Sequence, residues 1–375
     1  MTTSLPDAAL RIREGIRAAT AGLIGREQLA ELMVLAAVAQ EHLLVIGPPG
    51  TAKSAVVRRV AQALGGRYFE YLLGRFTEPT ELFGPVDLRK LREGTVETDP
   101  AGMLPEADIA FLDEVFLGST AILNTLLGIL NERRFRRGHT NIQCPLRVCV
   151  GAANGLPDDE ALSAFADRFL LHLFIDPVPD HQLEAMLAGG WQAEQQVVGH
   201  CADMAHLDTL CHSVKDVRLD EVRGAIANIV RTLRQAGLIL SDRRIVKSQR
   251  LVAAATVLAG RTTATDADLW PILYALPTKE SQLSAQETLR DLLANAANHT
   301  LHAAVEEAVL QPRSRVSRLS EAAEDCLANA NDAKTFRSRA EALLREMDAN
   351  FTSDTLPADL AAQRTRLANA LTQAT

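Results

Sequence analysis

Two stretches of this chain carry residues that could do chemistry. In the first, Leu43-Leu44-Val45-Ile46 runs into Gly47-Pro48-Pro49-Gly50-Thr51-Ala52-Lys53-Ser54. Ala55, Val56, Val57, Val60, Ala61 and Leu64 then read as a helix. Strand, glycine–proline loop and helix make an anion cradle, because successive loop N–H groups and the positive end of the helix face the ligand. Lys53 would reach β- and γ-phosphates, and the Ser54 hydroxyl would bind Mg²⁺. Ala52 stands where a glycine is usual. The cradle survives if Ala52 already lies in the first helical turn, whereas a positive φ would make it costly. Taken alone, the stretch also fits a plain turn between a buried strand and a helix.

In the second stretch, Ile109-Ala110-Phe111-Leu112 ends in Asp113-Glu114. Packing needs no carboxylates at the carboxyl end of a buried parallel strand, and that end is where open α/β sheets bind ligands. Asp113 fits a second Mg²⁺ partner, through water, and Glu114 a base or orienter for an attacking water. The bland alternative is an acidic pair at the start of the next helix. A third apolar run, Leu146 to Ala153, ends in the single amide Asn154, suited to hold a γ-phosphate or the water.

Two cations are candidates to complete such a site. Arg168 precedes the last strand, Leu170 to Ile175. It reads either as a local pair with Asp167 or as an arginine finger for a neighbouring subunit's nucleotide. Arg243 lies in the first turn of a helix opened by Ser241-Asp242, where the helix dipole disfavours a cation. A phosphate nearby would compensate, and an ordinary surface arginine is the alternative. The turn at Ile24-Gly25, just ahead of the phosphate-loop strand, could lie against a purine or simply join two helices.

Other elements must position these residues. Residues 1 to 40 read as helices, with an apolar stripe at Leu29, Leu32, Leu35 and Val38. Arg67 to Leu73 reads as a strand. Thr77 to Thr95 carries two prolines and two glycines, which forbid one continuous helix and suggest a projecting loop or small hairpin. Ser119 to Glu132 is an amphipathic helix, followed by a basic hairpin around Arg136. Asp176-Pro177-Val178-Pro179-Asp180 marks a boundary, beyond which the chain is helical. In the tail, Val316, Leu319, Ala323, Cys326, Ala330, Ala333, Phe336, Ala340, Leu343 and Met347 form a stripe. After a break at Pro357, Leu360, Leu367 and Leu371 form another. Together they predict an antiparallel helical hairpin.

Composition narrows the classes. A chain of 375 residues with 47% hydrophobic content holds two or three domains and a large core. The net charge of −8 argues against a constitutive nucleic-acid surface. There is no apolar run of the roughly 18 residues a membrane span needs. The amino terminus lacks a secretory pattern, so the expectation is cytoplasmic. Five cysteines without a C-x-x-C suggest reduced thiols. His200-Cys201, His206 and Cys211-His212 are zinc-ligand types, but their spacing matches no common zinc site. No N-K-x-D stretch for guanine occurs, which argues against GTP.

Phosphate loop, Asp113-Glu114, Asn154, Arg168 and Arg243 follow one another in an order that resembles the AAA+ ATPases. Within them the chain resembles the MoxR family, and more narrowly its RavA-like branch. The resemblance rests on the phosphate loop, Arg75-Phe76-Thr77 with Glu81-Leu82-Phe83-Gly84-Pro85, Phe111 to Glu114, Ala121 to Leu127 with Asn131-Glu132-Arg133, Asn154 with Leu156-Pro157, Asp167-Arg168 and Ser241 to Arg244. It covers about residues 10 to 280. It implies Walker A at Lys53 and Ser54, Walker B at Asp113 and Glu114, sensor 1 at Asn154, an arginine finger at Arg168 and sensor 2 at Arg243. Ile24 and Gly25 fall where the family contacts adenine. Gly155 replaces the acidic residue often found after sensor 1.

The expected fold class is α/β. An αβα nucleotide-binding core with a parallel sheet spans 1–178, with a helix-2 insert near 77–98 and a pre-sensor-1 hairpin near 133–146. A helical lid over 179–279 and a helical extension over 280–375 follow. The resemblance further implies ATP with Mg²⁺, a hexameric ring, and chaperone-like remodelling with a von Willebrand factor A domain partner. Two rivals are an ATP-gated binding scaffold with little turnover and a nucleic-acid motor.

Overall fold

The structure is a computed structural model and describes residues 4–195, 199–309, 319–320, 323–324, 326–327, 333–350 and 358–373. Its centre is a parallel sheet in the order β2-β3-β6-β1-β7. The strands are β1 (Leu43–Ile46), β2 (Tyr68–Leu72), β3 (Ile109–Asp113), β6 (Val148–Ala153) and β7 (Leu171–Phe174). β1 and β6 are buried throughout, and so is β3 up to its last residue. Alternate side chains enter two cores, as the two-residue period of a strand requires. Leu43, Val45, Ile109, Phe111, Val148 and Val150 face one core. Leu44, Ile46, Ala110, Leu112 and Cys149 face the other.

The first core is closed by α1 (Leu5–Thr20), α2 (Glu27–Ala39), α3 (Lys53–Leu64), α9 (Met204–Ser213) and α11 (Asp242–Leu258). The second is closed mainly by α6 (Thr120–Glu132), whose amino end is capped by the Ser119 hydroxyl accepting from Ile122 N–H. The basic hairpin forms as expected: β4 (Arg134–Arg137) pairs antiparallel with β5 (Thr140–Gln143). The insert contains more helix than expected. α4 (Pro79–Phe83) starts on a proline, and α5 (Leu88–Arg92) is capped by Asp87. Gly84 has φ 101°, and a Cβ there would lie 1.8 Å from Asp99 O, so the turn requires glycine. The insert leans on the hairpin through His139 N–H to Val96 O and Thr98 N–H to Thr140 Oγ1.

The chain divides into two compact units, one of 1–176 with 195–309 and one of 177–194 with 310–375. The expected ranges 1–178, 179–279 and 280–375 divide the chain by sequence rather than by packing. α9 and α11 send Leu207, Leu210, Leu251 and Val252 into the core beneath the sheet, which joins much of the expected lid to it. The segment after Pro177 instead belongs with the tail. In that second unit, helices Ala333–Asn350 and Ala358–Gln373 pack together through Phe336, Ala340, Leu343, Met347, Leu360 and Leu367. The expected stripe residues Val316 and Ala330, and the break at Pro357, lie outside the described residues.

One buried polar knot ties α11 to the sheet. Arg244, 3% exposed, bonds Asp167 Oδ1 at 2.6 Å and the carbonyls of Phe169, Leu170 and Ala275. It also meets His172, on β7, at Nε2, 3.3 Å away. His172 Nδ1 lies 2.8 Å from Pro277 O, an acceptor only, so Nδ1 carries the proton and Nε2 accepts from Arg244. Burial, and then the Arg244 charge, push His172 down to about 4. Glu31, 6% exposed, acts in the opposite sense: burial raises its carboxyl to about 7 although it accepts Ala304 N–H at 2.7 Å.

The two groups have opposite pH signatures. Stability from neutral His172 is present above the unfolded value near 6.5 and is lost as pH falls toward 4. That from protonated Glu31 is present below about 4.5 and is lost as pH rises through 7. Comparison with a variant isolates the histidine. Between pH 7 and pH 5, urea unfolding of the native chain should lose about 2 kcal/mol more than that of His172→Gln. Equal losses in the two proteins would show that His172 does not stay neutral in the fold.

Candidate active site

The parallel register brings the expected groups to one sheet edge. β6 lies between β3 and β1, with Leu112 opposite Gly151 and Ile46 opposite Ala153. The carboxylates closing β3, Asn154 after β6 and the loop after β1 therefore share the carboxyl edge.

The loop is tightly held. Gly47 donates to Ala153 O at 3.1 Å, and a Cβ on Gly47 would lie 2.4 Å from Ile175 O. Gly50 has φ 78°. The Thr51 hydroxyl donates to Pro48 O at 2.9 Å. Of the two conformations the sequence left open for Ala52, the structure has the one with positive φ. Ala52 is not in the first helical turn but caps α3 from the left-handed region, with φ 61° and ψ 23°. An L-residue pays about 1 kcal/mol for that conformation. The strain puts its carbonyl in place to accept Val56 N–H and open α3.

Lys53, 7% exposed, donates to Gly47 O at 2.7 Å and to Pro48 O at 3.0 Å. Burial lowers its pKa, while the charges of Asp113 and Glu114 push it back up. Asp113 Oδ1 accepts Glu114 N–H at 3.0 Å. Glu114 is itself left-handed, with φ 49° and ψ 46°, and its Oε1 accepts from Asn154 Nδ2 at 2.6 Å. Ammonium, two carboxylates and an amide thus form one cluster, with Ser54 in the first turn of α3 beside it.

This cluster fits a nucleoside triphosphate with Mg²⁺. Gly47 lets the loop lie close against Ile175, and a Cβ at Gly50 would meet nothing within 4 Å, so the loop is open on that side. The first N–H groups of α3 have no intrahelical acceptor. The Ser54 hydroxyl and Asp113 carboxylate are hard oxygen donors of the kind Mg²⁺ prefers.

Sequence reading missed Arg26. The residue is 7% exposed, and its guanidinium donates to Gly25 O at 2.7 Å, Thr51 O at 2.8 Å and Asp176 O at 3.3 Å. Burial lowers its pKa, against the pull of Glu27 and Asp176. It joins the Ile24-Gly25 turn directly to the phosphate loop. No spacing in the sequence marks an arginine as turned inward.

Arg168 and Arg243 do not meet this cluster. Asp167 and Arg168 precede β7, whose Leu171 pairs with Leu43, so they lie at the amino edge of the sheet. Four strand residues, roughly 10 Å, separate that edge from the phosphate loop. Arg243 donates to Asn131 Oδ1 at 2.9 Å and comes within 3.8 Å of Asp167 Oδ2. The compensating groups around Arg243 are thus Asn131 and Asp167, not a phosphate on its own loop. Arg168 Nε is buried and has no hydrogen-bond partner among the described residues.

Comparison with known proteins gives the same frame. Residues 10–212 match the model described as the MoxR domain in the MoxR-vWA-beta-propeller ternary systems, and residues 221–289 match an AAA lid domain. An uncharacterized protein of Methanocaldococcus jannaschii is 33% identical over 65% of this chain and 65% of its own length. The chaperone MoxR1 of Mycobacterium tuberculosis is 26% identical over 45% of each chain. The chain thus covers less than two thirds of the length of these relatives. The crystal structure of an inferred ATPase from Cytophaga hutchinsonii superposes with a TM-score of 0.60 at 15% identity, covering 78% of this chain and 97% of that one. At that identity the likeness speaks for the fold alone. Model match, sheet order and phosphate loop agree, and the chain belongs to the MoxR family of AAA+ ATPases.

Proposed function

We propose that this chain hydrolyses ATP in an oligomeric ring and uses the cycle to remodel a partner protein. The observation that carries the reading is the division of the site. Lys53, Asp113, Glu114 and Asn154 cluster at one sheet edge, while Arg168 and Arg243 lie at the other. The cluster at the carboxyl edge therefore lacks both arginines of its own chain, cations that phosphoryl transfer uses. A neighbour in a ring, a hexamer by family resemblance, would supply the rest.

In this reading Lys53 leaves its loop carbonyls for the phosphates, and the loop N–H groups cradle them. Ser54 and Asp113 would hold Mg²⁺, which neutralises phosphate charge when bound. Glu114 accepts a proton from the attacking water, and Asn154 orients that water. In the present geometry Asn154 holds Glu114, so the base becomes free only when this bond is given up. The Ile24-Gly25 turn takes the adenine. Arg168 and Arg243 of the adjoining chain meet the developing negative charge. The segment 221–289 acts as the lid, and its movement reaches the joined insert and hairpin. The description of the matched family supports a von Willebrand factor A domain protein as partner. Among the described residues no helix is long and apolar enough to cross a membrane.

Two measurements test this. Glu114→Gln should bind ATP with near-native affinity while turnover falls by about 10²-fold or more, and unchanged turnover would remove Glu114 from its role. Arg168→Ala should reduce turnover by about 10³-fold. Mixing Arg168→Ala chains with Lys53→Ala chains should restore activity well above the sum of the two, because one chain's intact loop meets the other's intact arginine. Activity equal to that sum would place Arg168 outside the neighbouring site.

A further inference from the structure

We infer that Arg26 is a positioning residue for the nucleotide, a three-way brace that fixes the adenine-side turn and the phosphate loop to the chain segment leaving the sheet. The inference rests on the ATP reading above and adds to it a means by which that site is held and sensed. Each arm of the guanidinium ends on a backbone carbonyl of a different segment: Gly25 in the turn, Thr51 in the phosphate loop and Asp176 beyond β7. Backbone acceptors make the brace independent of neighbouring side chains, and a planar fork suits three divergent acceptors as a lysine ammonium does not.

The brace also extends outward. The Asp176 carboxylate receives Lys279 Nζ at 3.0 and 2.8 Å. Lys279 opens α12 (Lys279–Thr288), inside the stretch matched as the lid. Lys279, Asp176, Arg26 and Thr51 thus form one line of polar contacts from the lid to the loop carrying Lys53. Thr51 is one residue before the strained Ala52, so a shift of its carbonyl bears directly on the left-handed turn that opens α3.

The test separates position from charge. Arg26→Lys keeps the charge and loses the fork, whereas Arg26→Gln loses both. Each full-length variant is titrated with a fluorescent ATP analogue and Mg²⁺, and amide hydrogen exchange is measured without nucleotide. A brace predicts that both variants bind the analogue about tenfold or more weakly, the scale of one lost charge-assisted hydrogen bond. Exchange should quicken at residues 22–26 and 47–53, while the unfolding midpoint of Arg26→Lys stays close to native. Native affinity in Arg26→Lys with weak binding in Arg26→Gln would mean that charge alone matters, and would overturn the brace. Native binding in both would overturn it while leaving the ATP reading intact. Absence of analogue binding by the native chain would overturn both together. Should Arg26→Gln fail to fold, Arg26→Lys alone decides, since native binding and native exchange in it contradict the inference.

Discussion

The parallel register of β3, β6 and β1 is the constraint on which the rest depends. These strands are buried on both faces, with alternate residues committed to two cores. A slip of one residue would exchange every side chain between them. The register is therefore fixed by apolar packing alone, and packing sets where each strand ends. Asp113, Asn154 and Gly47 become neighbours because their strands stop together, not because they attract one another. Two like-charged carboxylates beside a buried ammonium would not assemble unaided. The core imposes the arrangement, and Lys53 compensates part of the charge.

Of the four described non-glycine residues with left-handed backbone, Gln40 and Arg133 end helices and the other two lie where chemistry is expected. Ala52 and Glu114 both adopt left-handed backbone that suits glycine better than themselves. Each sits at the hinge between a strand end and the following helix. Such positions persist only when the surroundings over-determine them. Here Gly47 pressed on Ile175 O, and the bond from Asn154 to Glu114, supply that determination. The amino edge is held differently. Arg244 spends its donors on Asp167 and three carbonyls. That leaves its sequence neighbour Arg243 half-exposed, and Arg168 lacks a partner for its Nε among the described residues. Adjacent arginines thus divide between building the fold and facing outward.

Much of the site was legible in the sequence because strand ends and glycine loops leave local patterns. Apolar runs stopping at Asp113 and Asn154 needed only the rule that ligands gather at carboxyl edges. The hairpin around Arg136 and the helix over Ser119 to Glu132 were legible from basic turn residues and apolar spacing. What was not legible depends on tertiary direction. The conformation of Ala52 stayed open, since composition does not report the sign of φ. Arg243 was assigned by type, and only the fold reveals that it faces Asp167 and Asn131 across the sheet from its own loop. Arg26 looked like any charged residue after a turn. The return of α9 and α11 to the first core over long sequence separations is likewise recorded by no local pattern.

The central claim is that the site becomes whole only between two chains. The most direct measurement follows ATP turnover per chain across a dilution series in which the oligomer fraction is weighed on the same samples. The account predicts that turnover per chain falls with dilution in step with the loss of assembled chains, approaching zero for the monomer. Constant turnover per chain, with the protein demonstrably monomeric, would contradict it.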